Sequence, residues 1–403
     1  MKISLGNTPT WGTLLFICCA IAFASYFASY MRIPVVPLFA TSLGAGPLEV
    51  GLINSAFLLM MGILSFPLGV LSDRVGRKPL IVWGLIISLV TSILLYFSQT
   101  PGQLIAIYLV FGIGLAGVGP TLMSYVADIS PLSHLGRSYG WYTTAIYSGM
   151  SLGPAVGGWL AQALGFRPLF IIAALCLIPL VLLVAVWLPD SVSLKDHRRP
   201  QAAPSPTARE LLKNLPLMGC WLITLGGCFG QGMFLTFVPL HAHQQGLKVG
   251  QIGLIFAVQA ICNALSRLPL GRLSDTVGHR GRLAALGFLA FGASLAGFGL
   301  SRTLAHFLLA AMASGAAMGL AFTPLGAFIS ETVPPQSRGL AMGGYNTCIY
   351  LGMMLSSALM GGVIGRIGFA AGFLLTALLT FLVTGWYYLL VKDFSSAQQS
   401  LRT

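Results

Sequence analysis

The chain has 403 residues, 56% of them hydrophobic and 8% charged, and its mean hydropathy is +0.86. Soluble domains are about a quarter charged, so this composition excludes a water-soluble globule and makes lipid the chief solvent. The net charge of +13 does not by itself point to nucleic acid, because the side of a membrane on which the bases fall matters more than their sum.

A helix rising 1.5 Å per residue needs about 20 apolar residues to cross ~30 Å of hydrocarbon. Twelve such runs are predicted, over residues 11–33, 47–71, 79–98, 102–127, 137–162 and 167–188, then 216–240, 249–273, 281–300, 304–330, 337–362 and 367–391. Lipid offers the backbone no hydrogen-bond partner, and the runs are too long for barrel strands, so they are expected to be helices.

Span one follows Lys2 and contains AFASYFAS, a stretch that could pass for a signal peptide; with eleven spans after it, it reads as an uncleaved first helix. It carries Tyr26 and Tyr30 and ends beside Arg32. An arginine at a helix centre costs roughly 2.5–3.5 kcal/mol on insertion scales, whereas near an end it can snorkel to the interface. Arg32 is therefore expected to snorkel, with attraction of an anionic or polar substrate, or pairing with Glu49, as the other readings. Span two holds Asn54 and leads into GVLSDRVGRKPL, residues 69–80. There Gly69 and Gly76 permit close backbone approach, while Asp73, Arg74, Arg77 and Lys78 supply donors and acceptors at a membrane face.

Span five carries Gly140, Tyr142 and Tyr147, then Gly149, Gly153 and Gly157 at intervals of four with Pro154 and Gly158 among them. The repeat of four makes one bare helix face that a neighbouring helix can approach closely, and the proline should bend the helix. After span six, residues 189–213 (PDSVSLKDHRRPQAAPSPTARELLK) are the one long polar stretch. They read as a cytoplasmic linker, with TARELLK as a short surface helix, so the expected division is 1–188, linker 189–213, and 214–403.

Across the linker the chain repeats itself. GLINSAFLLMMGILSFPLGVLSDRVG begins at Gly51 and GLIFAVQAICNALSRLPLGRLSDTVG at Gly253, an offset of 202 that also relates Val36 to Val238. Ile146 and Ile349 begin IYSGMSL and IYLGMML at an offset of 203, which also relates Asp128 to Glu331. An even number of crossings returns the chain to its starting side, so the fold class expected is two parallel six-helix pseudo-repeats, the major facilitator architecture, with a substrate site near the midplane between them.

With both termini cytoplasmic, only Arg32, Arg167, Lys248, Arg302 and Arg366 of the 22 Lys and Arg fall outside, the positive-inside pattern. The basicity thus reports topology, and no nucleic acid is expected as a partner. Seven cysteines lie inside spans without a C-x-x-C pair, which indicates neither disulfides nor a metal site, and no cofactor is expected. Eight of the nine acids fall at or beyond cytoplasmic ends and Glu49 near an outer end. Coupling through a titrating acid at the membrane centre therefore lacks its residue. Asp128 and Glu331, beside the loops to Arg137 and Arg338, read as structural ion pairs, and His241 and His243 as solvated outer-loop residues.

The remaining polar and aromatic residues inside spans are candidate substrate contacts: Tyr26, Tyr30, Asn54, Tyr142 and Tyr147, then Gln231 and Phe234 in span seven, Gln259 and Asn263 in span eight, and Tyr345, Asn346 and Tyr350 in span eleven. Each either binds a neighbouring helix or faces a cavity. Together they suit a large, weakly polar small molecule. Neither a hydrolase triad nor a phosphate-binding loop is present, so enzymatic and ATP-driven classes have no support.

GVLSDRVGRKPL resembles the signature loop G-x-L-x-D-R-x-G-R-K/R of the major facilitator superfamily at every defining position. The resemblance implies that its aspartate and bases lock the cytoplasmic side shut in the outward-open state. The second copy, GRLSDTVGHRGRL, keeps Gly271, Asp275 and Gly278 but has Thr276 and His279 where Arg74 and Arg77 stand, and is expected to be the weaker latch. The spacing Gly140, Gly149, Gly153, Pro154, Gly157, Gly158, with PVVP at 34–37, resembles the twelve-span drug:proton antiporters. That implies that the glycine face seals the outer side between the two halves. The arginine these antiporters carry in span four is absent, and Tyr108 holds its place.

The expectation is a monomeric multi-pass transporter of a bacterial inner membrane, using protons as coupling ion to export an amphiphilic drug or metabolite. A facilitator or importer without conventional coupling, and a transport-inactive sensor or scaffold, are the alternatives.

Overall fold

The structure, a computed structural model, describes residues 11–189, 213–277, 279–334 and 337–400, without the side chains of Leu132, Leu268, Asp275, Val277 and residues 391–400. Gly278, the Asp275 side chain and all of the expected linker except Pro189 and Lys213 lie outside the described residues.

The helices follow the apolar runs. They are α1 (Trp11–Ser42), interrupted at Ile33–Pro34, α2 (Pro47–Val75), α3 (Arg77–Phe97), α4 (Pro101–Ile129), α5 (Leu135–Leu164) and α6 (Phe166–Trp187). After the linker come α7 (Leu215–Gln244), α8 (Val249–Val277), α9 (Arg280–Leu300), α10 (Leu304–Thr332), and the helix Arg338–Ser400. That last helix turns at Gly368, where φ is 80° and ψ 169°, and so counts as α11 (338–367) and α12 (369–400). Ten stretches are apolar enough to cross a bilayer on composition alone, the merged Leu340–Leu390 among them. Splitting that stretch and adding the glycine- and hydroxyl-rich α5 brings the described crossings to the expected twelve.

The ends are set locally. Thr100 caps α4 by accepting from the Gln103 amide, and the Gln103 side chain reaches back to the Thr100 amide at 3.3 Å, a reciprocal cap. Glu49 supplies the back-reaching half of such a cap on α2, accepting from the Gly46 amide at 2.9 Å. Positive-φ glycines recur with the sequence repeat: Gly44 (90°) with Gly246 (84°), and Gly165 (92°) with Gly368 (80°). A left-handed turn without a Cβ penalty is therefore built into equivalent corners of the two halves.

The apolar core explains how the halves meet. At the end of the bundle bearing Phe39, Phe170, Phe298 and Phe373, one continuous cluster joins both halves. At the other end there are two separate clusters, one around Ile21, Leu122 and Val184 and one around Cys220, Phe288 and Phe328. The second end also carries Arg74, Arg77, Arg280 and Arg282 and is here termed the basic end; its opposite is the far end. The halves are thus fused at the far end and splayed at the basic end. The flanks expose Phe66, Trp83, Trp159 and Leu389, an apolar jacket that suits a protein solvated by lipid.

Candidate functional site

The splay leaves a chamber between the halves. Its mouth, a cavity of about 470 Å³ at the basic end, is lined by Asp73, Arg77, Ser65, Ser124, Tyr142 and Asn346. A deeper cavity of about 360 Å³ is lined by Tyr30, Tyr147, Ser29, Ser88, Met150 and Met353. Tyr26 of α1 and Tyr350 of α11 border both, so the two cavities form one path toward the molecule's centre. The Tyr26 and Tyr30 rings lie 6.1 Å apart on one face of α1, as four-residue spacing on a helix requires. The Tyr142 hydroxyl is anchored on the Gly119 carbonyl at 3.3 Å. Among the described residues that line the deeper cavity there is no carboxylate. Hydroxyls, thioethers and π-faces with few charges hold an apolar or weakly polar body by packing and place a small number of hydrogen bonds.

The structure therefore brings together six of the sequence-predicted contacts: Tyr26, Tyr30, Tyr142, Tyr147, Asn346 and Tyr350. Others serve packing. Asn54 donates to the Thr236 hydroxyl at 3.1 Å, which lies 2.8 Å from the Ser357 hydroxyl, and so ties α2 to α7 and α11. Phe234 is buried against Phe256 and Phe298. Gln259 donates to the Met318 sulfur at 3.2 Å, and Asn263 accepts from Arg267 Nε at 3.1 Å. Tyr345 packs on the basic-end core of the second half. Gln231 lies in α7 with a buried carbonyl oxygen.

Arg32 departs from its expectation. It is fully buried, donates to the Ser92 hydroxyl at 2.9 Å, and stacks its guanidinium 3.7 Å from the centre of the Phe111 ring. It neither snorkels nor pairs with Glu49, which is engaged in capping. The reason is length: α1 continues past Pro34 to Ser42, so Arg32 sits inside the crossing and not at its end. His241 is likewise buried, ringed by Phe307, Phe369 and Phe373 at 5.5–5.9 Å, because the neighbouring helix ends cover the last turns of α7. His243 is exposed, as expected, but it lies in the last turn of α7 and not in a loop.

The glycine face of α5 also departs from its expectation. Gly149, Gly153 and Gly157 press on Phe23, Phe27 and Met31 of α1, within the same half. The contact between halves is made by the next strip of α5, where Gly158 meets Val249 and Gly253, and the Pro154 carbonyl also meets Gly253. Gly158 is one residue, about 100° of helix, away from Gly157, and that rotation turns it from α1 to α8. Nearby, Gln162 accepts from the Gly250 amide at 3.1 Å, and on the opposite side Gly51 meets the Ser357 carbonyl. The far-end seal thus rests on close backbone approach, which glycine permits. Gly140 and Gly69 have open space where a Cβ would be, beside cavities.

At the basic end Arg77 is the hub. It contacts Asp73 at 2.6 Å, Asp128 at 3.1 Å and the Ser72 hydroxyl, tying α2, α3 and α4. Gly76, at φ 103°, forms the corner that aims Arg77 inward, while Arg74 is exposed and Lys78 half-buried. Asp128 is an ion-pair residue as expected, with Arg77 as its partner. In the second half, Arg280 contacts Glu331 at 2.8 Å, at the same spacing and between equivalent helices. The echo is better preserved than alignment on His279 implies, because the offset changes from 202 to 203 just before Arg280.

Sequence reasoning missed Arg267. Counted only among the cytoplasmic-side bases, it lies inside α8 with its guanidinium 4.5 Å from the centre of the Tyr147 ring. The signal was available, since the predicted span 249–273 already enclosed it.

Comparison with known proteins agrees with this geometry. The family model described as Major Facilitator Superfamily matches residues 18–249 and 220–402. An uncharacterized MFS-type transporter of Methanocaldococcus jannaschii is 27% identical over 361 residues, covering 89% of this chain and 93% of the relative. Multidrug resistance protein MdtG of Rahnella sp. is 28% identical over 291 residues, 68% of this chain and 69% of the relative. Multidrug resistance protein 1 of Bacillus subtilis is 26% identical, covering 62% of this chain and 63% of the relative. Among solved structures, a bacterial homolog of the human lysosomal transporter Spinster, in an inward-facing and occupied conformation, superposes with a TM-score of 0.77 at 18% identity, covering 96% of this chain and 98% of that one. The nucleoside transporter NupG gives 0.77 at 15% identity, covering 94% and 99%.

Proposed function

The chain belongs to the Major Facilitator Superfamily, and we propose that this transporter exports a small amphiphilic drug or metabolite from the cytoplasm by alternating access. The observation that carries the reading is a tyrosine-lined chamber entered from the basic end and closed at the far end by glycine contacts between α5 and α8. Positive residues accumulate on cytoplasmic sides of membrane proteins, so the basic end is the cytoplasmic one, both termini are cytoplasmic, and the conformation is inward-open. Residues 1–188 and 214–403 act as the two rocking halves. The multidrug resistance relatives support efflux, and the bacterial ones among them an inner-membrane location. The working unit is the monomer.

In this cycle substrate enters between the splayed halves and settles on Tyr26, Tyr30, Tyr147 and Tyr350. The basic ends then close while Gly158 and Gly253 part. Coupling to the proton gradient is the reading that the span-five resemblance favours. The test is substrate accumulation in cells with and without the protein, repeated with an uncoupler. Loss of extrusion on uncoupling supports antiport; extrusion that persists overturns coupling and leaves transport standing.

One observation favours a second reading: among the described residues lining the deeper cavity there is no carboxylate to carry a proton. A facilitator or importer would accelerate downhill flux into proteoliposomes with no ion gradient imposed.

A further inference from the structure

The chamber has a side opening that the export reading does not use. On the basic-end half of α5 and α8 a groove of about 860 Å³ separates the helices, although the same pair touch at Gly158 and Gly253 toward the far end. The helices therefore diverge as a wedge. The groove's apolar rim is Trp141, Leu152, Ile261 and Leu265, 43–69% exposed, on the apolar jacket that faces lipid. Its polar lining among the described residues is Arg137, Arg267 and the hydroxyls of Thr143, Thr144, Ser148 and Ser151, none of them a carboxylate.

Two positive side chains, with no acid among the described lining residues, beside an apolar rim open to lipid match one chemical class: an amphiphile with an anionic head and an apolar tail. The groove also adjoins the chamber. Thr143 and Tyr147 line both, and Arg267 lies over the Tyr147 ring with its Nε held by Asn263 at 3.1 Å. That leaves the terminal nitrogens of the guanidinium as donors at the boundary between groove and chamber.

We propose that this groove is a binding site and side entrance through which an anionic amphiphile passes from the bilayer into the chamber, its head held by Arg267 and Arg137. The inference rests on the reading of the chamber as a transport path, and it narrows the substrate class to anions with a lipid-soluble body. The Arg267–Tyr147 stack is the curtain between groove and chamber: as the guanidinium takes up the anionic head, it leaves the ring.

The test uses the full-length protein in phosphatidylcholine nanodiscs and a photoactivatable dodecyl phosphate with a diazirine in its chain, with labelled residues mapped by peptide mass spectrometry. Labelling is expected on the α5 and α8 segments bearing Leu152, Ile261 and Leu265. It should be competed by dodecyl phosphate, not by dodecyltrimethylammonium, and at least tenfold less well by butyl phosphate, which shares the head but stays in water. Arg267→Gln should reduce labelling about tenfold, Arg137→Gln about threefold, and Arg267→Lys should retain most of it. Labelling spread evenly over lipid-facing helices, equal competition by the cation, or no change in both glutamine variants overturns the site. Equal competition by butyl phosphate overturns entry from the membrane. Because binding is read without a gradient or flux, failure here leaves the export reading intact, and failure of export leaves this result interpretable.

Discussion

Arg77 donates from Nε to the Asp128 carboxylate across 3.1 Å, joining the start of α3 to the end of α4. Asp73, 2.6 Å from the same guanidinium, adds α2 to the cluster. The Arg280–Glu331 pair repeats the tie in the second half, but its side chains are 24% and 37% exposed against 8% for Arg77.

That difference sets the first prediction. A hydrogen bond to a charged group is worth about 1.5–3 kcal/mol when shielded, and an exposed ion pair about 0–1 kcal/mol. Arg77→Gln is expected to slow transport about tenfold and Arg280→Gln less than about threefold, since 1.4 kcal/mol corresponds to a factor of ten. Flux in proteoliposomes at matched protein density measures both, and equal losses would remove the asymmetry.

A second prediction concerns Arg32, which is buried with one hydroxyl partner and one aromatic face. Replacing a buried charge with an apolar side chain of similar volume is often neutral or stabilising, so Arg32→Met should hold or raise the unfolding temperature. Phe111→Ala should instead lower stability by about 3 kcal/mol, because it empties a packed site and strips the guanidinium of its ring. Thermal unfolding in a single detergent separates the two outcomes.

The third prediction separates packing within a half from packing between halves. A methyl at Gly153 would lie 2.7 Å from the Phe27 carbonyl oxygen and 3.1 Å from the Met31 amide. A methyl at Gly253 would strike the Pro154 carbonyl and the Gly158 backbone. Gly153→Ala should therefore destabilise the fold without shifting the gate, by about 1–3 kcal/mol as overpacking does. Gly253→Ala should pry open the far-end seal. Spin-label distances across α5 and α8 at that end should lengthen only in the second variant.

Asn54 offers a milder version of the same experiment. Its hydrogen bond to Thr236 crosses between the halves at the far end, and buried bonds between membrane helices contribute about 0.6 kcal/mol on average. Asn54→Leu should raise the population of molecules open at the far end roughly threefold. Thiol accessibility of a single cysteine placed in the deeper cavity, probed by an impermeant reagent from each side, reports that shift.

Much of this was legible from composition and spacing. Twelve apolar runs dictate twelve crossings because the backbone cannot leave its hydrogen bonds unmade in lipid. The internal offset of 202–203 residues announces two parallel halves, and the same offset reappears in the positive-φ corners at Gly165 and Gly368. The clustering of Tyr26, Tyr30, Tyr147 and Tyr350 was also foreshadowed, since polar aromatics inside spans must face something other than lipid.

What could not be read was which neighbour each helix face meets. Gly157 and Gly158 are adjacent in the chain, yet one packs on α1 and the other on α8, because helix rotation carries successive residues to different partners. Arg32 reads as an end residue from its distance to the predicted boundary, and Arg267 as one more cytoplasmic-side base; the depth of each depends on how far its helix continues and what covers it. The solvent, the number of crossings and the repeat follow from local chemistry and periodicity and are written in the chain itself. Which glycines seal the halves, which arginines are buried and where the groove opens depend instead on helix rotation and tilt, and packing against partners distant in the chain sets both.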